Sequence, residues 1–114
     1  MSRSTIRARN LAAGAIGSLM LMTAAPALAW DGAVSGTIYI IDVTGGANYG
    51  FRVYLEGVSS ACAGGANWAY LNESDSNYKT YVAALMMAKS QGSRVTLYSN
   101  VENGYCHIGY IQII

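Results

Sequence analysis

The chain has 114 residues, of which 53% are hydrophobic and 11% are charged, and its formal net charge is +1. This length accommodates one small domain. Three of the seven basic residues precede residue 30, so the charge of the remainder is 4 − 6 = −2, which argues against nucleic acid and anionic membranes as partners.

Residues 1–29 have the three parts of a secretory signal peptide in order. Arg3, Arg7 and Arg9 form a positive n-region, residues 11–23 are apolar and uncharged, and Ala27-Leu28-Ala29 is a small-x-small cleavage site. The apolar run is short for a membrane span, and no stop-transfer segment follows it. The sequence therefore predicts export to the periplasm or the medium, and a mature domain over residues 30–114 that has no membrane span.

Two strands are predicted at the start of this domain. Residues 32–43 are rich in β-branched and aromatic side chains, and residues 49–56 alternate strictly between apolar and polar. The alternation puts Tyr49 on the same face as Phe51 and the apolar residues after it. A Gly-rich cluster at residues 45–48 predicts the turn of a hairpin.

A loop over residues 59–67, a short strand over 68–71 and one helix are predicted next. Residues 78–90 have a single apolar stripe at spacings of three and four, formed by Tyr78, Tyr81, Val82, Leu85 and Met86. Ser74, Asp75 or Ser76 is predicted to cap the start of the helix, and Gly92 is predicted to end it in the left-handed conformation.

Two more strands, over residues 94–99 and 105–114, are predicted on either side of an Asn103-Gly104 turn, because this pair accepts positive φ at both positions. Strict alternation would put Tyr110 on the face of Cys106 and Ile108. Both faces of the last strand are largely apolar, so we expect it to complete this protein's own sheet.

The predicted order is three strands, a helix and two strands, which is the order of the OB-fold, a small five-stranded Greek-key barrel. We therefore expect a mainly β, α+β fold of the type β-β-β-α-β-β, an OB-like barrel with the helix over its open end. Other small α+β sheets share this element order.

Cys62 and Cys106 are the only two cysteines, so a single intramolecular disulfide is predicted in an oxidising compartment. It would contribute about 4 kcal/mol in the chain-entropy description. Two buried thiols and a metal pair beside His107 are the alternatives. A zinc site would need further ligands that the sequence does not place, so no metal is predicted.

No catalytic residue and no cofactor are predicted. His107 is the only histidine, and we interpret it as a strand residue bonded to the backbone. Oxidised cysteines supply no thiolate. The six acids are scattered without a telling spacing, although two strand carboxylates could still meet in space, which keeps a small secreted hydrolase as a third hypothesis.

Nine tyrosines and two tryptophans stand beside one phenylalanine, and rings with a polar group suit half-wet binding surfaces. Aromatic rings close to Asn and Arg can stack on sugars and bond their hydroxyl or carboxylate groups. The candidate ligand-binding residues are Trp68, Tyr70, Arg94, Tyr98, Asn103 and Tyr105. The alternative is that Trp68 covers the core and the tyrosines pave the sheet.

Four short segments resemble the binding subunits of subtilase-cytotoxin and typhoid-toxin type. These segments are Trp30-Asp31-Gly32, Ser60-Ala61-Cys62, Trp68 before the helix, and the strand that follows Gly92. The resemblance implies a secreted OB-fold, a pentameric ring and a glycan ligand. The chain differs where those subunits have a cysteine in the second strand, because it has Phe51-Arg52-Val53 there and its second cysteine in the last strand.

We accordingly expect a non-enzymatic exported binding module with a glycan or protein ligand, and a homo-oligomer if the resemblance extends to assembly. The alternative is an envelope protein with a structural or inhibitory role that acts through protein contacts.

Overall fold

The computed structural model describes residues 30–47 and 49–114, so the predicted signal peptide and Asn48 lie outside the described residues. The strands are β1 (Gly32–Val43), β2 (Phe51–Leu55), β3 (Trp68–Leu71), β4 (Arg94–Glu102) and β5 (Tyr105–Ile113), and helix α1 (Tyr78–Gln91) lies between β3 and β4. The described chain is therefore mainly β with one helix, as predicted. Across these two ranges, no helix combines the length and apolar character needed to cross a membrane.

The five strands form one mixed sheet whose two ends meet. Its order is β1-β2-β3-β5-β4, and β4 pairs with β1 in turn, so the pairings form a ring. One half of β1 pairs with β4 and the other half with β2. The β3–β5 pairing is parallel. Such a pairing needs a long crossover connection, which α1 and β4 supply here. The sheet thus has an inner face and an outer face.

Apolar side chains from all five strands fill the inner face. Phe51, Leu71 and Leu97 are almost completely buried there, and Leu85 of α1 joins them. Full burial of one such side chain contributes about 1.5–3 kcal/mol. β5 pairs with β4 along its whole length, so the prediction that the last strand completes this protein's own sheet is confirmed.

The disulfide between Cys62 and Cys106 is present, with a Cα–Cα distance of 5.7 Å. It links the β2–β3 loop to β5, and both cysteines are buried in the core. The Asn103-Gly104 turn is also confirmed, since both residues have positive φ, 55° and 83°. This turn starts β5 and so sets which residues of β5 face outward.

Helix α1 begins at Tyr78 as predicted, but its cap differs from the prediction. The N-cap is Asn77, which has φ 65° and makes no side-chain capping bond, whereas Ser74, Asp75 and Ser76 precede it. Asp75 accepts a bond from the Asn72 N–H instead, so its carboxylate is used before the helix begins. The end of the helix at Gly92, φ 70°, is confirmed, while Met86 is 55% exposed and lies off the buried stripe.

The alternation predicted for the second strand and for the last strand fails at one place in each. Tyr49 precedes β2 with φ 52°, so its side chain does not follow the alternation that buries Phe51. In β5 the register shifts between the pairs Ser99–Ile108 and Tyr98–Tyr110, which leaves Gly109 as an extra residue. Because one extra residue exchanges the faces, Tyr110 is exposed and does not share the buried face of Cys106.

Candidate functional site

Four aromatic rings meet on the outer face of the sheet, and we call Tyr49, Trp68, Tyr70 and Tyr105 the four-ring cluster. Tyr49 lies at its centre, with ring centroids 4.7 Å from Tyr70, 4.9 Å from Tyr105 and 6.0 Å from Trp68. Trp68 and Tyr105 stack at 4.9 Å with an interplanar angle of 20°. These separations are those of favourable aromatic pairs.

Strand alternation explains why β3 contributes two of these rings. Ala69 and Leu71 belong to the inner core, so Trp68 and Tyr70 project to the outer face. Tyr70 is only 2% exposed although it is not part of that core. Its burial therefore comes from the cluster itself, which is a second packed region outside the sheet.

Arg52 joins the cluster from β2. Its guanidinium carbon lies 4.8 Å from the centroid of Trp68, a cation–π contact. Its Nε donates a 3.0 Å hydrogen bond to the carbonyl of Tyr49. The same arginine thus contacts the carbonyl of the left-handed Tyr49 and the face of the Trp68 ring, which links two of the four rings.

A histidine held by two carboxylates borders the cluster, and we call Asp75, His107 and Glu102 the carboxylate clamp. The His107 ring stacks on Tyr70 at 4.7 Å with an angle of 5°. Its Nε2 lies 2.8 Å from Asp75 Oδ2 and its Nδ1 lies 2.9 Å from Glu102 Oε2. The expected backbone partner for His107 was therefore wrong, because the loop before α1 and the end of β4 supply carboxylates on both sides.

The clamp and the burial change two pKa values. Burial alone would lower the pKa of His107, but the hydrogen bonds and negative charges of Asp75 and Glu102 outweigh it and raise this pKa above 6.5. Burial, reinforced by the charge of Glu102, raises the pKa of Tyr70 to about 12. Tyr70 is therefore a neutral phenol over the whole physiological range.

The histidine and the two cysteines of the described chain already have partners. Both ring nitrogens of His107 lie within hydrogen-bond distance of carboxylates. Both cysteines are in the disulfide. Among the residues that the structure describes, no group of three or more His, Cys, Asp or Glu side chains could hold a metal ion.

A separate group of rings, Trp30, Tyr98 and Tyr110, forms what we call the three-ring cluster. Tyr98 and Tyr110 are cross-strand partners with centroids 4.8 Å apart, and Trp30 stacks on Tyr110 at 6.4 Å. The Trp30 ring covers Gly109, where any side chain would meet it. The Tyr98 hydroxyl donates to Gln112 Oε1, so its polar group has a partner within the sheet.

The six candidate ligand-binding residues therefore separate into four places. Trp68, Tyr70 and Tyr105 lie together in the four-ring cluster, whereas Tyr98 belongs to the three-ring cluster. Arg94 is exposed at the start of β4, and Asn103 is exposed in the turn. The last two thus lie outside both ring clusters.

Tyr49, Arg52 and His107 are not among the six candidate residues predicted from the sequence. Arg52 carried a usable signal, since the alternation of residues 49–56 puts it on the polar face of its strand. The missing information was the pairing of Arg52 with Tyr70 and of Tyr70 with His107 across three strands. Tyr49 had no such signal, because the turn reverses the face that alternation assigns to it.

Comparison of the chain with protein-family models, with curated protein sequences and with solved structures finds no match. The functional argument therefore depends on the geometry of this chain alone.

Proposed function

We propose that the protein is an exported, non-enzymatic binding module whose ligand, a glycan, stacks on the four-ring cluster. The observation that carries the proposal is the stack of Arg52, Trp68 and Tyr105 on the outer face of the sheet. A sugar ring has apolar C–H faces and polar hydroxyl edges, and aromatic rings flanked by charged groups match both.

The burial of the rings supports a prearranged surface. Tyr70 is buried and Trp68 is partly buried by their neighbours, while Tyr105 remains 36% exposed at the edge of the stack. Rings that are already fixed lose little side-chain entropy when a ligand binds. The carboxylates of Asp75 and Glu102 and the guanidinium of Arg52 lie around them as hydrogen-bonding groups.

Screening the oxidised protein on a broad glycan array tests the proposal, with a Tyr105→Ala variant as the critical comparison. We expect binding to a defined set of glycans, and a loss of about tenfold in affinity for the variant, because one aromatic contact is removed.

Tyr110→Ala is the matched control. Tyr110 lies on the same strand, is 45% exposed and also packs against other rings, but it belongs to the three-ring cluster. It should retain the affinity of the unmodified protein. An array without binding, or equal losses in the two variants, would count against the proposal.

A protein ligand on the same surface is the second candidate. Trp, Tyr and Arg are the residue types that dominate binding energy at protein interfaces, and Trp68, Tyr105 and Arg52 are stacked together here. Pull-down from periplasmic extract with the unmodified protein and with Tyr105→Ala distinguishes it, because a specific protein partner would be captured by the first only.

We extend the proposal to the fold and the assembly. The parallel β3–β5 pairing, the helix between β3 and β4 and the β1–β4 pairing support an OB-like barrel. A homo-oligomer is implied by the toxin-subunit resemblance, and light scattering of the oxidised protein measures it. A strict monomer that binds no glycan would remove the toxin-like version.

A further inference from the structure

We propose that the carboxylate clamp is a proton-controlled lock on the four-ring cluster, closed when His107 is protonated and opened when it is neutral. The proposal rests on the proposed function, since it concerns the regulation of the same surface. It is carried by the two short contacts of His107 with Asp75 and Glu102.

The hydrogen-bond inventory of imidazole determines the charge state of the closed clamp. A neutral histidine has one N–H donor and one lone pair, whereas the protonated ring has two donors. An ionised carboxylate only accepts hydrogen bonds. Both contacts, at 2.8 and 2.9 Å, are therefore satisfied together only by the protonated ring. In the neutral ring, one lone pair would face a carboxylate oxygen.

The clamp joins the loop before α1 to the paired ends of β4 and β5. Asp75 lies in the loop before α1, where its Oδ2 also accepts the Asn72 N–H at 2.8 Å. Glu102 ends β4 and is the cross-strand partner of Tyr105. Opening the clamp thus releases the loop before α1 from β5 on one side of His107, and on the other side it releases the Glu102 side chain opposite Tyr105.

The same histidine also supports the aromatic rings. His107 stacks on Tyr70, Tyr70 packs against Tyr49, and Tyr49 contacts the remaining two rings of the cluster. A displacement of the His107 ring therefore changes the support of every ring in the cluster. We expect the open state to leave Trp68 more accessible and Tyr105 less firmly placed.

The charged and titratable groups around His107 set the direction of the effect. Asp75 faces it from the loop, Glu102 from β4 and the Tyr70 phenol from β3, and Arg52 lies beyond Tyr70 as its partner on β2. Two nearby negative charges favour the protonated ring over the single, more distant positive charge. The raised pKa of His107 agrees with this balance.

The raised pKa of His107 determines how the stability of the folded protein changes with pH. A histidine whose folded-state pKa is above its unfolded value stabilises the protein fully below 6.5 and loses this contribution as the pH rises through the folded-state pKa. The closed state is thus the mildly acidic one, and the face should bind more weakly at alkaline pH.

Two measurements on the oxidised protein test the lock without any ligand. His107 is the only histidine in the chain, so its ring resonances in NMR spectra give its pKa directly. In a Trp30→Phe variant, acrylamide quenching of the remaining Trp68 fluorescence reports the accessibility of the cluster. We expect a His107 pKa above 6.5, and quenching that rises about twofold with the same midpoint.

Variants make the test specific. His107→Gln cannot change charge, so its quenching should not depend on pH in this range. Glu102→Gln should lower the His107 pKa, whereas Glu56→Gln, which removes an exposed charge directly after β2, should leave it unchanged. A His107 pKa at or below 6.5 would overturn the lock, as would quenching that is independent of pH or is unchanged by His107→Gln.

The glycan array, repeated at about pH 5.5 and about pH 8, separates this proposal from the previous one. Weaker glycan binding at the higher pH supports both the glycan proposal and the lock. An empty array at both pH values, together with the expected His107 titration and quenching, would overturn the glycan proposal and still support the lock.

Discussion

Single residues in this protein hold contacts that the ring of strands does not make. Tyr49 adopts a left-handed backbone that is costly for a bulky side chain, and its ring contacts three others. Such a conformation persists only when the surroundings fix it, and here Arg52 bonds its carbonyl. The turn is therefore determined by the cluster as much as by its own glycines.

Gly65 is a residue whose lack of a side chain has a specific reason, because a Cβ there would meet the sulfur atoms of both Cys62 and Cys106. We expect Gly65→Ala to lower the free energy of unfolding of the oxidised protein by about 1–3 kcal/mol, since buried overpacking displaces well-packed neighbours. Urea denaturation measures the change.

Gly45→Ala is the control for this substitution. A Cβ at Gly45 has no atom within 4 Å and its φ is not positive, so the free energy of unfolding should change by less than about 0.5 kcal/mol. Equal effects of the two substitutions would contradict the packing that we describe around the disulfide.

At the scale of elements, the segment between β3 and α1 has two tasks. Asp75 accepts the Asn72 N–H and also belongs to the clamp, so it cannot cap the helix. Asn77 makes the entry to α1 by adopting the left-handed conformation, and its carbonyl accepts the Tyr81 N–H. The position of the cap at Asn77 instead of Asp75 is thus a consequence of the clamp.

Substitutions at the helix start distinguish this account from a serine cap. Asn77→Ala should lower the free energy of unfolding by about 0.5–1 kcal/mol, because alanine tolerates positive φ less well than asparagine. Asn77→Gly should not destabilise the protein. Ser76→Ala should have no measurable effect in thermal or urea unfolding, and a larger loss at Ser76 than at Asn77 would show that the cap has been misassigned.

At the scale of the whole molecule, the described chain has one inner core and, outside it, two clusters of three or more aromatic rings and a separate Tyr39–Tyr54 pair. The three-ring cluster packs over Gly109 and the start of β1, and its Tyr98 hydroxyl has a partner. The four-ring cluster has the arginine, the histidine and two carboxylates around it. This difference in surroundings is the reason for assigning binding to the second region and packing to the first.

Local patterns in the sequence were sufficient for the elements. β-Branched and aromatic residues predicted β1, the Asn-Gly pair predicted the turn, and the presence of only two cysteines predicted the disulfide. Each of these depends on neighbouring residues or on a single possible pairing. Local patterns could not predict the extra residue at Gly109, because it depends on the register with β4. The prediction that Tyr110 shares the buried face of Cys106 was therefore wrong.

The candidate site was predicted only in part for the same reason. Trp68 and Tyr70 were found as neighbours on one strand, but Tyr98 was grouped with Tyr105 although they belong to different clusters. His107 and Asp75 are 32 residues apart in the sequence, and a local sequence pattern does not extend over such a separation. Sites built from several strands become visible only once the pairing order is known.

The most direct test of the account uses the two tryptophans of the chain, one in each cluster. Their indole N–H signals in NMR spectra report the two regions separately while the glycan with the strongest array signal is added at mildly acidic pH. We predict a saturable shift of the Trp68 signal and an unchanged Trp30 signal. A shift confined to Trp30, or no shift at either tryptophan, would contradict the assignment of the four-ring cluster as the binding surface.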